Sequence, residues 1–413
     1  MIKGVEIIKV TPSPSASLAE VATSGLIVEA VDVAGKFEAG NLYHFLSIRD
    51  AQAAGLSEDY DLSNSVVVYH HIREFFAMAG EGVSLYVMPV AKDSTQTVLA
   101  GEGYLKKLVQ DTEGKVFQVG IATNPTVDDA MVNGLESDLV AAIPVAQATV
   151  DWAFSAMFPT RVILEGRNFT PPVAAVEDLR NLTDVSAPNV SVVVAQDYNH
   201  AARDAAFSHY AAVGTALGTM AAARVHESMG WVEQFNLTDA GKGRWLSAGL
   251  SNHTPATAIQ QDWGALDDKG YIFAIKYPHL DGFRWNGDHT CTQVEVAEDG
   301  TMNESQQRFG RTADKAIRAV YAALIPKVNS PQLLDANGKL PPVMVASFKA
   351  AAEKAIDRQL AGEISARRVI VDKDSVLLPP NPVLKVSLEV VPVGSADTIQ
   401  VSFALKNSLN NGN

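Results

Sequence analysis

The sequence predicts an α/β protein built around a mostly parallel sheet, and three observations carry that expectation. From about residue 115 to 265, runs of strand length alternate with longer stretches of helical spacing, the order that places helices on the faces of a parallel sheet. A chain of 413 residues with 47% hydrophobic and 19% charged residues buries sizeable cores and holds two or three domains. The last fifty residues change in kind, from helical spacing to strand runs separated by turn residues.

In order, residues 1–10 alternate Ile2, Val5, Ile7 and Val10 with Lys3, Glu6 and Lys9 and read as a strand, which Pro12 and Pro14 then stop. Gly25 to Ala30 reads as a buried strand, Leu42 to Ala54 as a short helix, Ser63 to Met78 as an amphipathic helix capped by Asp61 or Ser63, and Val83 to Val90 as a strand. Next come strand Val116–Ala122, helix Thr126–Met157, strand Arg161–Leu164, helix Ala174–Leu182, strand Val190–Ala195 and helix Ala202–Ser228. Strand Tyr271–Tyr277 leads into a turn-rich segment, and helices Gln306–Ile325 and Pro342–Ala361 follow. Val369 to Val371, Leu384 to Val393 and Thr398 to Leu405 read as strands, the last two forming a hairpin about Gly394-Ser395-Ala396-Asp397.

Composition excludes several classes. A net charge of −14 and a pI near 5.1 argue against a nucleic-acid or anionic-membrane partner. One cysteine, Cys291, rules out an intrachain disulfide framework and a cysteine-based zinc site, and reads as a small buried residue. The N-terminal residues lack the continuous apolar core of a secretory signal, and the uncharged run Ala205–Ala223 is too rich in Ala, Gly, Ser and Thr for a membrane span.

Catalytic motifs are absent or incomplete. Gly101-Glu102-Gly103 and Gly241-Lys242-Gly243 each lack the third glycine of a nucleotide fingerprint, and Trp245 stands where a hydrolase elbow through Ser247 needs glycine. His226-Glu227 has no second histidine at zinc-protease spacing, His70 and His71 point to different helix faces, and Asp128-Asp129 and Asp267-Asp268 read as caps and turns. The best cluster of potential ligands is His279 to His289, although the segment reads first as a loop in which Asp and Asn satisfy turn backbone and Trp285 anchors packing.

Taken together, the opening Gly4-Val5-Glu6-Ile7 with Ser13-Pro14-Ser15, the run His71-Ile72-Arg73-Glu74-Phe75-Phe76 to Leu85-Tyr86-Val87, and Arg308 to Ser330 with Pro331 resemble the contractile tail sheath proteins of phages and related injection machines, in a divergent, Mu-like branch. The resemblance covers both chain ends and the general α/β middle. It implies a core domain built from the N- and C-terminal parts with an inserted α/β domain, plus extended terminal β arms that add strands to neighbouring subunits. The corresponding segments are an N-terminal arm over 1–20, a first part of the α/β body over 21–114, an inserted domain over 115–265, a C-terminal part of the core over 266–378 and a hairpin arm over 379–413. Residues expected to pair between subunits are Val5, Ile7, Ile8, Val386, Leu388, Val390, Ile399, Val401 and Phe403.

Independent support for the arms comes from edges that would otherwise invite uncontrolled pairing, which strand addition to another copy puts to use. Such exchange runs head to tail and repeats into rings or an open helix. Between Arg308 and Arg368, eleven Lys or Arg stand against five acids, +6 in a chain of −14, which would give an assembled tube a basic lining. Lys349, Lys354 and Arg358 on Pro342–Ala361 are the expected contacts to an inner tube. The implied partners are other sheath subunits, the inner tube protein, a baseplate and a tail terminator, without cofactor, metal, nucleic acid or membrane insertion. The implied setting is a virion tail or injection-machine sheath assembled in the bacterial cytoplasm. Two alternatives stay open: an α/β hydrolase or metal-dependent enzyme using His279–His289, and another phage structural protein.

Overall fold

The Val- and Ile-rich runs of the chain become the central strands of one sheet, where buried backbone groups are satisfied by pairing with one another. A computed structural model describes residues 21–170, 172–239, 245–379, 382–403 and 405. Its main sheet contains Ser24–Ala30 (β1), Tyr43–Phe45 (β2), Leu85–Ala91 (β3), Gln118–Ala122 (β4), Arg161–Glu165 (β5), Val190–Val193 (β6) and Tyr271–Ile272 (β7). In space these lie in the order β2, β3, β1, β4, β5, β6, β7, all parallel except β2 against β3. All seven residues of β1 are buried, and Ser24 stands opposite Leu85 on one side and Gln118 on the other. The sequence boundary drawn at residue 114/115 therefore falls within one sheet.

Glu58–Asn64 (α1) and Tyr69–Ala79 (α2) lie between β2 and β3. The expected cap works: the Asp61 carboxylate accepts from the N–H groups of Val68, Tyr69 and His70 at 2.9–3.1 Å, although α2 starts at Tyr69. Ser137–Ser155 (α3) links β4 to β5, and Val213–Ala222 (α4) packs over β4 and β5. Gly120 of β4 leaves room for Val213 of α4, while on the opposite face Gly25 of β1 meets Leu108.

α2 and α4 approach until backbone touches backbone. A Cβ at Gly214 would lie 2.2 Å from the His71 carbonyl oxygen, and one at Gly218 2.5 Å from that of Phe75.

A second core lies beyond the sheet, among Gln307–Leu324 (α5), Pro342–Gln359 (α6), Ile364–Val371 (β8) and Val386–Pro392 (β9). It is made by Ala316, Val320 and Leu324 of α5, Phe348, Ala352 and Ile356 of α6, and Val369 and Val371 of β8. The other face of α5 turns to the sheet and meets Arg161, which is fully buried. Its guanidinium reaches Asp314 at 2.6 Å, Glu304 at 2.5 Å and the Pro188 carbonyl at 2.9 Å. Gly310 lies flat against it, because a Cβ there would come within 2.0 Å. Arg318 donates to the Pro159 carbonyl at 2.5 Å and covers the Phe117 ring, and Arg311 donates to the Ala223 carbonyl at 3.0 Å, at the negative end of α4.

Several elements differ from expectation. Within 42–54, Tyr43–Phe45 pairs with β3 and the helix begins only at Ile48, where Ser47 and Asp50 form a capping box. Within 126–157, Asn133-Gly134 make a tight hairpin between Met131–Val132 and Leu135–Glu136, so α3 starts eleven residues late, at Ser137. The expected helix 174–182 is a single turn, Val173–Ala175, and 202–228 shortens to α4. Strand 271–277 splits, Ala274–Ile275 pairing instead with Arg284–Trp285. The C-terminal hairpin is a correction: β9 pairs antiparallel with β8, and Thr398 to Phe403 form no strand. Val5, Ile7 and Ile8 lie outside the described residues. No described helix is long and apolar enough to cross a membrane.

Gly218→Ala is predicted to force α2 and α4 apart and lower stability by about 1–3 kcal/mol, read as a lowered thermal midpoint. Arg161→Met removes the cation shared by two buried carboxylates and should cost about 3–5 kcal/mol in the same measurement.

Candidate functional site: an open-edged hairpin and a cationic helix face

Doubly wound sheets hold ligands at the carboxyl ends of the strands where the order reverses, here between β1 and β4. In this chain that crevice is filled by its own side chains. Glu29 accepts from the N–H groups of Ser94 and Asn124 at 2.5 Å each, and Asn124 is fixed by its amide to the Glu29 carbonyl and the Val67 N–H. Glu165 accepts from Thr123 and Ala211, and Gln96 grips the Glu165 backbone on both sides. Arg167 closes the cluster, donating to the Thr123 carbonyl at 3.1 Å and facing Glu136 and Glu165 at 3.8 Å. Loop N–H groups that would meet an anionic ligand are thus committed to glutamates.

The His279–His289 segment is a brace. His279 is exposed on a turn, the Trp285 indole donates to Thr219 at 3.0 Å, and Asp288 accepts the Arg308 N–H at 2.7 Å at the start of α5. The two ring nitrogens of His289 are taken by Arg180 at 2.7 Å and Asp267 at 2.8 Å. His226-Glu227 lies in turns beyond α4 rather than on a helix. His70 stacks on His200 with centroids 3.5 Å apart and reaches the Tyr210 hydroxyl at 3.0 Å, while His71 receives the Gly214 N–H. Among the described residues no three His, Cys, Asp or Glu are grouped to hold a metal.

The surface of the second core is different. β8 and β9 form a sheet of two strands, with Val369 opposite Leu388 and Val371 opposite Val386. Val386, Leu388 and Val390 point to the helices but stay half-buried, because no described strand continues the sheet beyond β9. The outer edge of each strand presents backbone donors and acceptors with no described strand beside it.

After β9 the chain from Gly394 to Phe403 is exposed throughout. Ile399, Val401, Phe403 and Leu405 are 79–90% exposed, although their alternation is that of a half-buried strand. Large apolar side chains at that spacing and exposure mark a surface made to be covered.

The cations of 308–368 sort into three groups, which corrects the reading of this segment as one basic lining. Arg308, Arg311 and Arg318 are buried in the joint to the sheet. Lys315, Lys339, Arg367 and Arg368 pair with Glu363, Asp374, Glu353 and Asp357, and Glu389 respectively, and Lys327 lies over the Phe348 ring. Lys349, Lys354 and Arg358 remain, all exposed on α6 and without an acidic partner among the described residues; Lys354 and Arg358 lie one turn apart, away from Phe348, Ala352 and Ile356, and Lys349 stands next to Phe348.

Comparison with solved structures places the fold among contractile sheath subunits. The chain superposes on a subunit of the anti-feeding prophage (AFP) helical sheath in its contracted state with a TM-score of 0.62 at 15% identity, over 98% of this chain and 99% of that one. A chain of the six-fold symmetrised AFP baseplate gives 0.61 at 15% identity, again over 98% and 99%, and the contracted PVC sheath complex of an extracellular contractile injection system gives 0.54 at 14%, over 98% of each chain. The chain belongs to the DUF2586 family, whose N-terminal domain matches residues 21–289. No curated protein sequence matches it.

Burial pushes the carboxyls of Glu29, Asp61, Glu74 and Glu136 each up to about 7. Such groups ionise first in the unfolded chain, so the stability they contribute is full below the unfolded carboxyl range and is lost as pH rises through about 7. The urea midpoint of the unassembled subunit is therefore predicted to be higher at about pH 6 than at about pH 8. Equal midpoints, or the reverse order, would contradict the burial of these acids.

Proposed function

We propose that this chain is the structural subunit of a contractile sheath, polymerising helically around an inner tube and contracting to drive that tube through a target envelope. The observation that carries the reading is the pairing of an acceptor with a donor on one chain: among the described residues, a two-stranded sheet with no strand at either outer edge, and a tail with strand alternation and exposed apolar side chains. In a polymer the tail residues Ile399, Val401 and Phe403 of one copy extend the sheet of the next. The N-terminal run with Val5, Ile7 and Ile8 supplies a strand to the other edge, and Val386, Leu388 and Val390 become fully covered.

On this reading the second core and the two arms form the inner layer of the tube, with the large sheet outside it. Lys349, Lys354 and Arg358 face an acidic inner tube, and the ends of the polymer meet a baseplate and a terminator. The setting is a virion tail or injection machine built in the bacterial cytoplasm. Work is done by repacking between subunits: an extended lattice, assembled first, passes to a shorter and more stable one while the exchanged strands keep neighbours linked. A chemical step has no part in it, in keeping with the filled crevice and the fully engaged His289.

Val401→Asp with Phe403→Asp is predicted to abolish tube formation in electron micrographs while leaving the thermal midpoint of the subunit unchanged. Tubes of normal length from the double variant would contradict the donor role. Replacing Lys349, Lys354 and Arg358 by Glu should leave sheath self-assembly intact and abolish co-sedimentation with the inner tube protein.

A further inference from the structure

β9 ends at Pro392, and the strand-patterned tail begins at about Thr398. The intervening Val393 to Asp397 has the length of an ordinary hairpin loop, so the tail of an isolated subunit has the means to fold back and fill the outer edge of its own β9. That closure would pair the tail with Ser387 to Val391 along the outer edge of β9 and leave nothing to donate. The structure does not adopt it.

One contact holds the root of the tail elsewhere. The Asp397 carboxylate lies 3.6 Å from the Arg308 guanidinium, on the first turn of α5. Arg308 is itself buried, with 5% of its surface exposed, fixed by Asp288 at 3.2 Å and covering the Phe309 ring, and its Nε has no partner of its own. Ser395 donates to the same Asp397 carboxylate at 3.2 Å, bending the chain just before it. No other ion pair or hydrogen bond joins the described residues from Gly394 onward to the body of the molecule.

We infer that the Arg308–Asp397 pair is a directing contact that keeps the tail off its own β9 edge and so holds the subunit competent for exchange. It is a specificity device rather than a source of stability. A partly exposed ion pair is weak, but the competing states differ only in which chain supplies the strand, and a small bias suffices to decide between them. This inference rests on the sheath reading and adds to it the residue that aims the donor strand.

The test uses the full chain carrying Asp397→Lys, which reverses the charge facing Arg308 without disturbing the Asp288 cap. Amide hydrogen exchange is followed below the concentration of assembly, and the critical concentration is then measured by sedimentation. In the unaltered chain the amides of 398–403 should exchange at the rate of an open chain. In the variant their protection should rise about fivefold or more, with a similar rise in the critical concentration. An unprotected tail in the variant monomer overturns the inference, and so does protection with no rise in the critical concentration. Failure of the unaltered chain to polymerise at all would count against the sheath reading, while the exchange comparison would still decide the role of Asp397.

Discussion

A two-stranded sheet cannot satisfy its own backbone, and the second core of this molecule is organised around that constraint. β8 and β9 pair with each other and with nothing else among the described residues, leaving a row of donors and acceptors along each side. Globular proteins hide such edges under a helix, a charge or a bulge. Here the helices α5 and α6 cover one face of the hairpin, and among the described residues no strand lies beside either of its edges. Val386, Leu388 and Val390 are half-buried for want of cover, while Ile399, Val401, Phe403 and Leu405 stand exposed on the same chain.

Whatever pulls on the hairpin must reach the large sheet, and the buried Arg161 cluster makes that connection. It joins the start of β5 to α5 and to the segment before it through two carboxylates and a carbonyl, with Gly310 allowing the helix to close on the guanidinium. Buried ion groups of this kind contribute little net stability but tolerate few alternative geometries. Arg311 on the end of α4 and Arg318 over Phe117 repeat the connection on either side. α5 thereby carries the second core on one face and the buried ionic joint to the sheet on the other.

Much of the fold was legible because it is written locally. The runs at 25–30, 116–122, 161–164 and 190–195 are strands in the structure within a few residues, and the helices expected at 306–325 and 342–361 are found at Gln307–Leu324 and Pro342–Gln359. The misreadings have local causes too: Asn133-Gly134 ended a supposed helix with a turn, and Ser47 with Asp50 set a later helix start than apolar spacing indicated. What no local pattern carries is the fate of charged residues. Arg161 and Asp314 are 153 positions apart, and nothing near Arg308, Arg311 or Arg318 marks them as internal, so a count of charges treated them as surface. Lys354 and Arg358 were legible as neighbours on one helix face because their four-residue spacing decides it, while Lys349 lies on a different side of the helix. The tail alternates as a strand does, yet Thr398 to Phe403 form none in the structure, because a strand exists only with a partner and local alternation names no partner.

The most direct measurement is a helical reconstruction of the assembled polymer at a resolution that separates strands. The account predicts that β8 and β9 of each subunit lie at the centre of a four-stranded sheet whose outer two strands come from two other copies, one from an N-terminal segment and one from 398–405. Bare hairpin edges, or a tail folded against β9 of its own chain within the polymer, would contradict it.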